Sequence, residues 1–200
     1  MGASIPHNEK VFSVFEPHTE WVSKGKAGVP VEFGIRVCIL EDQHHFILHH
    51  RIMQNETDDQ VAIPMIQHTK KLFPSLHSCS FDKGFHSKNN QEMLSKELNV
   101  VALPRKGKLS NKSKAIEDSK NFIEAHKKHS AVESAINALE VHGLDRCLDY
   151  GIDGYKRYVA LAVVTRNLHR IGDILKQKEE KRIARIKARN SKNIILENAA

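Results

Sequence analysis

Cysteine, tryptophan and long apolar runs are scarce or missing in this sequence. It has three cysteines and one tryptophan in 200 residues. Cys38, Cys79 and Cys147 are widely spaced and form no CxxC pair, which predicts neither a disulfide framework nor a cysteine zinc site. The opening MGASIPHNEK lacks the apolar stretch of a secretion signal. No apolar run approaches the roughly 20 residues that span a bilayer. These absences favour a cytoplasmic protein with no membrane partner.

Histidine is plentiful, but its spacing matches no common site. Thirteen histidines are present, and the doublets His44-His45 and His49-His50 fit neither the HExxH nor the C2H2 pattern of zinc sites. The segment SKGKAGVP likewise lacks the GxxxxGK[ST] spacing of a phosphate-binding loop. The sequence therefore predicts no dedicated zinc site and no P-loop.

Positive charge is unevenly distributed along the chain. The composition, 40% hydrophobic and 28% charged, is that of a globular domain. The net charge of +7 and the pI near 9.3 favour a polyanionic partner such as nucleic acid. Of that charge, +6 lies between positions 176 and 192, so the rest of the chain is nearly neutral. The basic segment is either a phosphate-binding tail or a solvated helix.

The apolar pattern changes from strands to an alternation of strands and helices. Side chains alternate over Val31–Leu40, and His45–Met53 returns after a polar turn, which predicts an antiparallel hairpin. The whole order indicates an α/β fold. Further strands are predicted at Lys10–Phe15, His77–Phe81 and Val100–Leu103, and helices at Ile63–Phe73, from Ser87 to about Leu98, at Ala115–Lys128, at Ala131–His142 and beyond Gly154.

Two carboxylates stand at positions suited to chemistry. Asp82 closes a predicted strand, where α/β proteins place their sites, although an Asp before Gly84 can simply shape a turn. Glu133 shares a helix face with Asn137 and Glu140. Its alternative role is structural, because Ser130 and Glu133 have the spacing of a capping box at a helix start.

These residues lie in phrases that resemble a known family. The segments SFDKGFHS, LPRKGKLS and HSAVESAINALEVHGLDRC resemble the catalytic region of bacterial insertion-sequence transposases of the DDE type. The preceding VFSVFEPHTEWVSKGKAGVPVEFGIRV and the following GYKRYVALAVVTRNLHRIG extend the resemblance from about Pro6 to Gly172. It implies an RNase H-like mixed sheet flanked by helices in residues 1–172, with a long basic C-terminal helix. Residues 173–200 form the basic tail.

The resemblance also implies an activity and its site. Such enzymes cleave and join DNA with two Mg²⁺ ions, or Mn²⁺, held by two Asp and one Glu. Asp82 and Glu133 match the second and third acids of this set. The implied partners are the insertion-sequence ends, target DNA and further copies of the chain in a homo-oligomer on DNA. The implied location is the bacterial cytoplasm, at the nucleoid when bound to DNA.

The first acid departs from the family pattern. No Asp precedes Asp42, so Glu16 or Glu20 is the nearest substitute, unless the acid lay upstream and was lost. A Tyr, Arg, Glu, Lys signature of one branch is also altered, its positions being held by His126, His129, Glu133 and Glu140. The resemblance further implies that the family's N-terminal DNA-recognition part is absent, as expected for a truncated copy.

Basic residues between and beside the two acids are candidates for DNA contact. Phosphate contacts position DNA without reading its sequence, and a solvated loop is the alternative for the same cations. Trp21 is expected either to stack on a base or to pack at the rim of the core. Three functions stay open: a DDE transposase, a non-catalytic DNA-binding remnant and a generic RNase H-like nuclease. The predicted phosphate-binding residues are Arg105, Lys106, Lys108, Lys127 and Lys128.

Overall fold

A computed structural model of the chain describes residues 5–6, 9–23, 30–144 and 146–197. The side chains of residues 112, 130, 131, 133, 134, 142 and 191–197 lie outside this description. The architecture is mixed α/β, with three two-stranded sheets and five α-helices in the described part, the last of which is a long C-terminal helix. The predicted turn SKGKAGVP lies largely outside the described residues.

Two antiparallel hairpins open the fold. Strand β1 (Glu20–Ser23) pairs with β2 (Val31–Gly34), and β3 (Arg36–Glu41) pairs with β4 (Ile47–Met53). The predicted hairpin is confirmed, but the prediction of one strand over Val31–Leu40 is wrong, because the chain changes partner at Ile35. The Ile35 carbonyl accepts a hydrogen bond from the Tyr155 hydroxyl at 3.1 Å.

The predicted strand at Lys10–Phe15 is also wrong. This stretch has no strand partner, and Val11, Val14 and Phe15 are 75%, 85% and 92% exposed. Phe12 alone turns inward, with its ring 5.9 Å from that of Trp21 and 5.7 Å from that of Phe33. The apolar alternation is present, but such a pattern forms a strand only where the edge of a sheet is available for pairing.

A βαβ unit follows helix α1 (Asp58–Leu72). Strand β5 (Ser78–Ser80) pairs in parallel with β6 (Val100–Ala102), and α2 (Lys88–Glu97) connects them. Ser87 caps α2, as predicted, with its hydroxyl accepting the Asn90 N–H at 3.1 Å. Helix α1 starts five residues before the predicted Ile63, because Gln60 accepts the Thr57 N–H at 2.8 Å and acidic residues favour a first turn.

The middle helices differ from the prediction. Helix α3 covers Asn111–Glu117, and α4 runs without a break over Lys120–Leu139, followed by a π-helical turn at Glu140–Leu144. Ser119 caps α4, so the capping box expected at Ser130 is a wrong prediction. Ser130 lies in mid-helix, where neither Gly nor Pro interrupts the backbone hydrogen bonds.

Helices cover both faces of the hairpin β3–β4. Cys38 and Leu40 pack with a cluster centred on α1, including Val61, Met65 and Ile66. Ile39 points to the opposite face, where Ile47, Leu139, Ala162 and Val163 form a second cluster. Because successive strand residues face opposite sides, the sheet lies between α1 on one side and the α4–α5 layer on the other.

Helix α5 (Gly151–Glu197) is the long basic helix that the sequence predicts. Its inner face is fixed by side chains spaced along the first five turns: Tyr158 donates to the Gly143 carbonyl, and Asn167 and Arg170 contact the β3–β4 hairpin. Ile171, predicted on that face, is 45% exposed. The helix continues through Gly172 without interruption. No described helix combines the length and apolarity that a membrane crossing requires.

Candidate active site

Asp82 lies where the parallel strands end. It follows β5 directly, after Phe81, whose N–H donates to the Ala102 carbonyl and extends the β5–β6 ladder. Its backbone is extended, and its carbonyl accepts the Phe85 N–H at 3.1 Å in a tight turn over Lys83–Phe85. The carboxylate is therefore held out from the end of the strand and is 76% exposed.

One described contact joins Asp82 to helix α4. His129 Nε2 lies 3.1 Å from Asp82 Oδ1, and the His129 side chain is only 17% exposed. Glu133 follows one turn later on the same face of α4, since residues four apart are neighbours on a helix. Its side chain lies outside the described residues. The fold thus brings together the strand end and the helix that carry the two predicted acids.

Glu16 and Glu20 take up backbone contacts elsewhere. Both oxygens of Glu16 accept from the Gly151 N–H, at 3.2 and 3.3 Å, at the start of α5. Glu20 Oε1 accepts from the Asn55 N–H at 2.6 Å, beyond the end of β4. A carboxylate at a helix N-terminus is stabilised by the helix dipole. These contacts give Glu16 a structural role at α5, and neither Glu is part of a metal-holding group among the described residues.

Asp58 is an acidic neighbour of the Asp82 turn and is not among the predicted site residues. A Cβ added at Gly84 would lie 2.5 Å from Asp58 Oδ2, so the carboxylate packs directly against the glycine. Asp58 Oδ1 also accepts from Arg36 Nη1 at 3.2 Å. Its acidic place in the first turn of α1 is visible in the sequence, but its nearness to Gly84 depends on how α1 docks.

Buried thiols lie behind this acidic turn. Burial, followed by the charge of Asp58 and with a smaller contribution from Asp82, raises the pKa of Cys38 to about 12. Burial also raises the pKa of Cys79 to about 12. Both thiols are therefore protonated at neutral pH and are poor nucleophiles or metal ligands.

Two predicted basic residues approach the Asp82 turn. Lys106 Nζ donates to the Gly84 carbonyl at 2.7 Å. The backbone N–H of Arg105 donates to Glu117 Oε1 at 2.9 Å. Burial, followed by the charges of Arg105 and Lys106, lowers the pKa of His86. Lys108, Lys127 and Lys128 are exposed. Positive charge therefore lies within electrostatic reach of the Asp82 turn.

Trp21 belongs to an aromatic cluster on the first hairpin. Its ring meets that of Phe33 edge-on at 5.7 Å, and its residue is 45% exposed. This geometry fits the packing interpretation of Trp21 at the rim of the fold. Two residues at the positions of the altered Tyr, Arg, Glu, Lys signature have defined places. The ring of His126 stacks on that of Phe122 with the centroids 6.1 Å apart, and Glu140 begins the π-helical turn.

The described side chains do not by themselves fit a two-metal site. No group of three or more His, Cys, Asp or Glu side chains in the described part could hold a metal ion. Asp82 offers one exposed carboxylate beside an imidazole nitrogen, whereas Mg²⁺ prefers several oxygen ligands. Comparison with protein-family models, curated proteins and solved structures gives no match for this chain.

Proposed function

We propose that this chain is the RNase H-like catalytic region of an insertion-sequence transposase of the DDE type. The observation that carries the proposal is the 3.1 Å contact between Asp82 and His129. It ties the carboxylate at the end of β5 to the helix that carries Glu133. A strand-end acid facing a later helical acid is the arrangement that the sequence resemblance implies for phosphodiester chemistry.

In this proposal Asp82 and Glu133 are the acids that would hold Mg²⁺ or Mn²⁺. Further oxygen ligands are required, from a first acid and from the DNA phosphate itself. The chemistry that such an ion would supply there is activation of the attacking oxygen and neutralisation of charge on the phosphate. Asp82 is well suited to this role because it is exposed at the end of a strand, and His129 holds its orientation.

DNA is the proposed substrate and partner. Lys106 and Arg105 lie beside the Asp82 turn, and Lys127, Lys128 and Lys108 add exposed cations on α4 and the neighbouring loop. Such residues hold phosphates in register without reading bases. The basic tail adds an electrostatic contribution that is strongest at low salt.

A non-catalytic DNA-binding remnant is the second candidate function. The contacts of Glu16 with Gly151 and of Glu20 with Asn55 favour it, because they occupy the two nearest substitutes for the first acid. DNA binding would then persist without cleavage. A generic nuclease would share the acids but form no joined product.

Cleavage of DNA that borders this reading frame separates the candidates. We expect the purified chain with Mg²⁺ or Mn²⁺ to nick the border DNA, and Asp82→Ala and Glu133→Ala each to abolish nicking. Both variants should retain DNA binding in a gel-shift assay. Unchanged nicking in either variant would refute the site, whereas binding without nicking by the unmodified chain would favour the remnant.

A further inference from the structure

A cavity of about 1190 Å³ lies along the open edge of β3. Cys38, Ile39, Leu40 and Glu41 all line it. Successive strand residues point to opposite faces of a sheet. A cavity on one face would meet only every second residue, so a cavity that meets four in succession lies along the strand edge.

The edge of β5 borders the same cavity in the same way. Ser78, Cys79, Ser80 and Phe81 line it in succession. β3 pairs only with β4, and β5 only with β6, among the described strands. Two strand edges, each without a partner on this side, therefore border one space.

Helices close the two faces of this space. Ala62, Met65 and Ile66 of α1 line one side, and Ala125, His129 and Val132 of α4 also contribute to the lining. We call this space, bounded by the edges of β3 and β5 and by helices α1 and α4, the slot. Its walls are those that surround a central strand of a sheet covered by helices, where strands are apolar on both faces.

Two buried oxygens in the slot lack a hydrogen-bond partner. Glu41 Oε1 lies 2.6 Å from His45 Nδ1, but Oε2 has no partner in the described structure, although the side chain is only 2% exposed. Ser80 Oγ is buried without a partner as well. Leaving a buried acceptor unsatisfied costs about 1–3 kcal/mol and more for a charged group, so both oxygens are costly groups in the walls of the slot.

We propose that the slot binds an extended, mainly apolar peptide segment from outside this chain, which pairs with both edges. Such a segment supplies backbone N–H and C=O groups to β3 and β5 at once, as in recognition by strand addition. The β3–β4 and β5–β6 pairs then become parts of one five-stranded sheet.

No segment among the described residues 5–6, 9–23, 30–144 and 146–197 pairs with the open edge of β3 or of β5. The exposed apolar stretch Lys10–Phe15 is tied down at Phe12 by Trp21 and Phe33, and just beyond it by the contact of Glu16 with Gly151. The described lining also carries the acidic side chains of Glu41, Asp42 and Glu124 against a single lysine, Lys128. It therefore disfavours a polyanion such as DNA, which needs cations along its path. An extended peptide is the occupant that matches both the edges and the lining.

The test uses a fluorescein-labelled synthetic peptide, Lys-Val-Ile-Val-Thr-Val-Lys, and the full chain. A control peptide carries Pro in place of the central Val, because Pro lacks the N–H that pairs with a strand. We expect the first peptide to bind and to slow hydrogen exchange at both Cys38–Glu41 and Ser78–Ser80. The Pro peptide should bind about tenfold more weakly or worse.

Two variants of α4 complete the test. Val132→Trp fills the slot from its helix side and should abolish binding, whereas Ile136→Trp, one turn later and 44% exposed, should leave binding unchanged. Circular dichroism checks that both variants fold.

Absence of binding, protection of one edge alone, or equal binding of the Pro peptide would overturn the proposal. Protection of both edges in a dimer without peptide would assign the slot to a second copy instead. None of these results depends on the proposed cleavage activity.

Discussion

At the scale of single residues, the strongest electrostatic feature outside the candidate site is a pair of histidines. The rings of His49 and His68 stack with their centroids 4.5 Å apart. Burial, followed by the charges of His68, His50 and Arg51, lowers the pKa of His49 to about 4. Burial lowers the pKa of His50 as well. Strand β4 is therefore built around neutral imidazoles.

The low pKa of His49 predicts a loss of stability in mild acid. Between pH 6.5 and 4 the unfolded chain binds a proton at His49 that the folded chain does not, so stability falls as the pH drops through that range. Thermal unfolding at closely spaced pH values should show this decline, and His49→Gln should reduce its slope. His44→Gln, at an exposed position, is the matched control. An unchanged slope in His49→Gln would contradict the assignment of the decline to His49.

At the scale of elements, one side chain joins α5 to the hairpin. Asn167 accepts the Ile47 N–H at 2.9 Å and donates to the Ile47 carbonyl at 3.0 Å, so its amide pairs with β4 as a neighbouring strand would. Ile47 itself is 4% exposed and packs beneath α5. The contact fixes the long helix against the sheet.

Removal of this amide should destabilise the fold measurably. Asn167→Ala leaves two backbone groups of Ile47 without their partner, which costs about 1–3 kcal/mol. Urea unfolding with an unchanged m-value is the appropriate measurement. Asn137→Ala, at an exposed position on α4, should change the free energy of unfolding little. Equal effects of the two substitutions would show that the two hydrogen bonds between Asn167 and Ile47 add nothing specific to the free energy of unfolding.

The same elements show what the sequence can and cannot predict. The Ser87 cap and the strands around Cys79 and Val101 depend on neighbouring residues, so their local pattern sufficed. The break at Ile35 depends on Tyr155, 120 positions away, and the role of Glu16 depends on Gly151, 135 positions away. At the candidate site, Asp82 at a strand end was predictable, but its contact with His129 and the nearness of Asp58 to Gly84 arise from docking of distant helices.

At the scale of the whole molecule, charge and exposed apolar surface are concentrated on α5. The basic tail carries most of the net charge on a helix whose described residues beyond Leu175 are exposed. Before it, α5 exposes apolar side chains at spacings of three and four, the pattern of a coiled-coil seam. These seam residues are Leu161, Val164, Leu168, Ile171 and Leu175, each 45–65% exposed.

The tail should govern the salt dependence of DNA binding. Replacement of Lys176, Lys178, Lys181 and Arg185 by Gln removes four cations, so the slope of log affinity against log salt should fall by up to about 3.5. Fluorescence anisotropy with a labelled duplex across a salt series measures the slope. Replacement of Lys71 and Lys96, on the exposed surface of α1 and α2, serves as control. An unchanged slope in the tail variant would show that the tail does not contact DNA.

The seam predicts a homo-oligomer, the assembly that the family resemblance implies. A second copy supplies the same apolar row, so two α5 helices can bury their seams against each other. Sedimentation should show a dimer that Leu168→Glu converts to a monomer. Leu148→Glu, at a position 73% exposed outside α5, should leave the dimer intact. A monomeric unmodified chain would contradict this part of the proposal.

Strand transfer distinguishes a DDE transposase from both a DNA-binding remnant and a nuclease. A labelled duplex carrying the border DNA and a free 3′-OH is incubated with target plasmid, Mg²⁺ and the chain, and joined products are counted. We expect joining by the unmodified chain and by Asp153→Asn, whose carboxylate is exposed on α5, and no joining by Asp82→Asn or Glu133→Gln. Joining that survives in Asp82→Asn would show that Asp82 is not a catalytic acid.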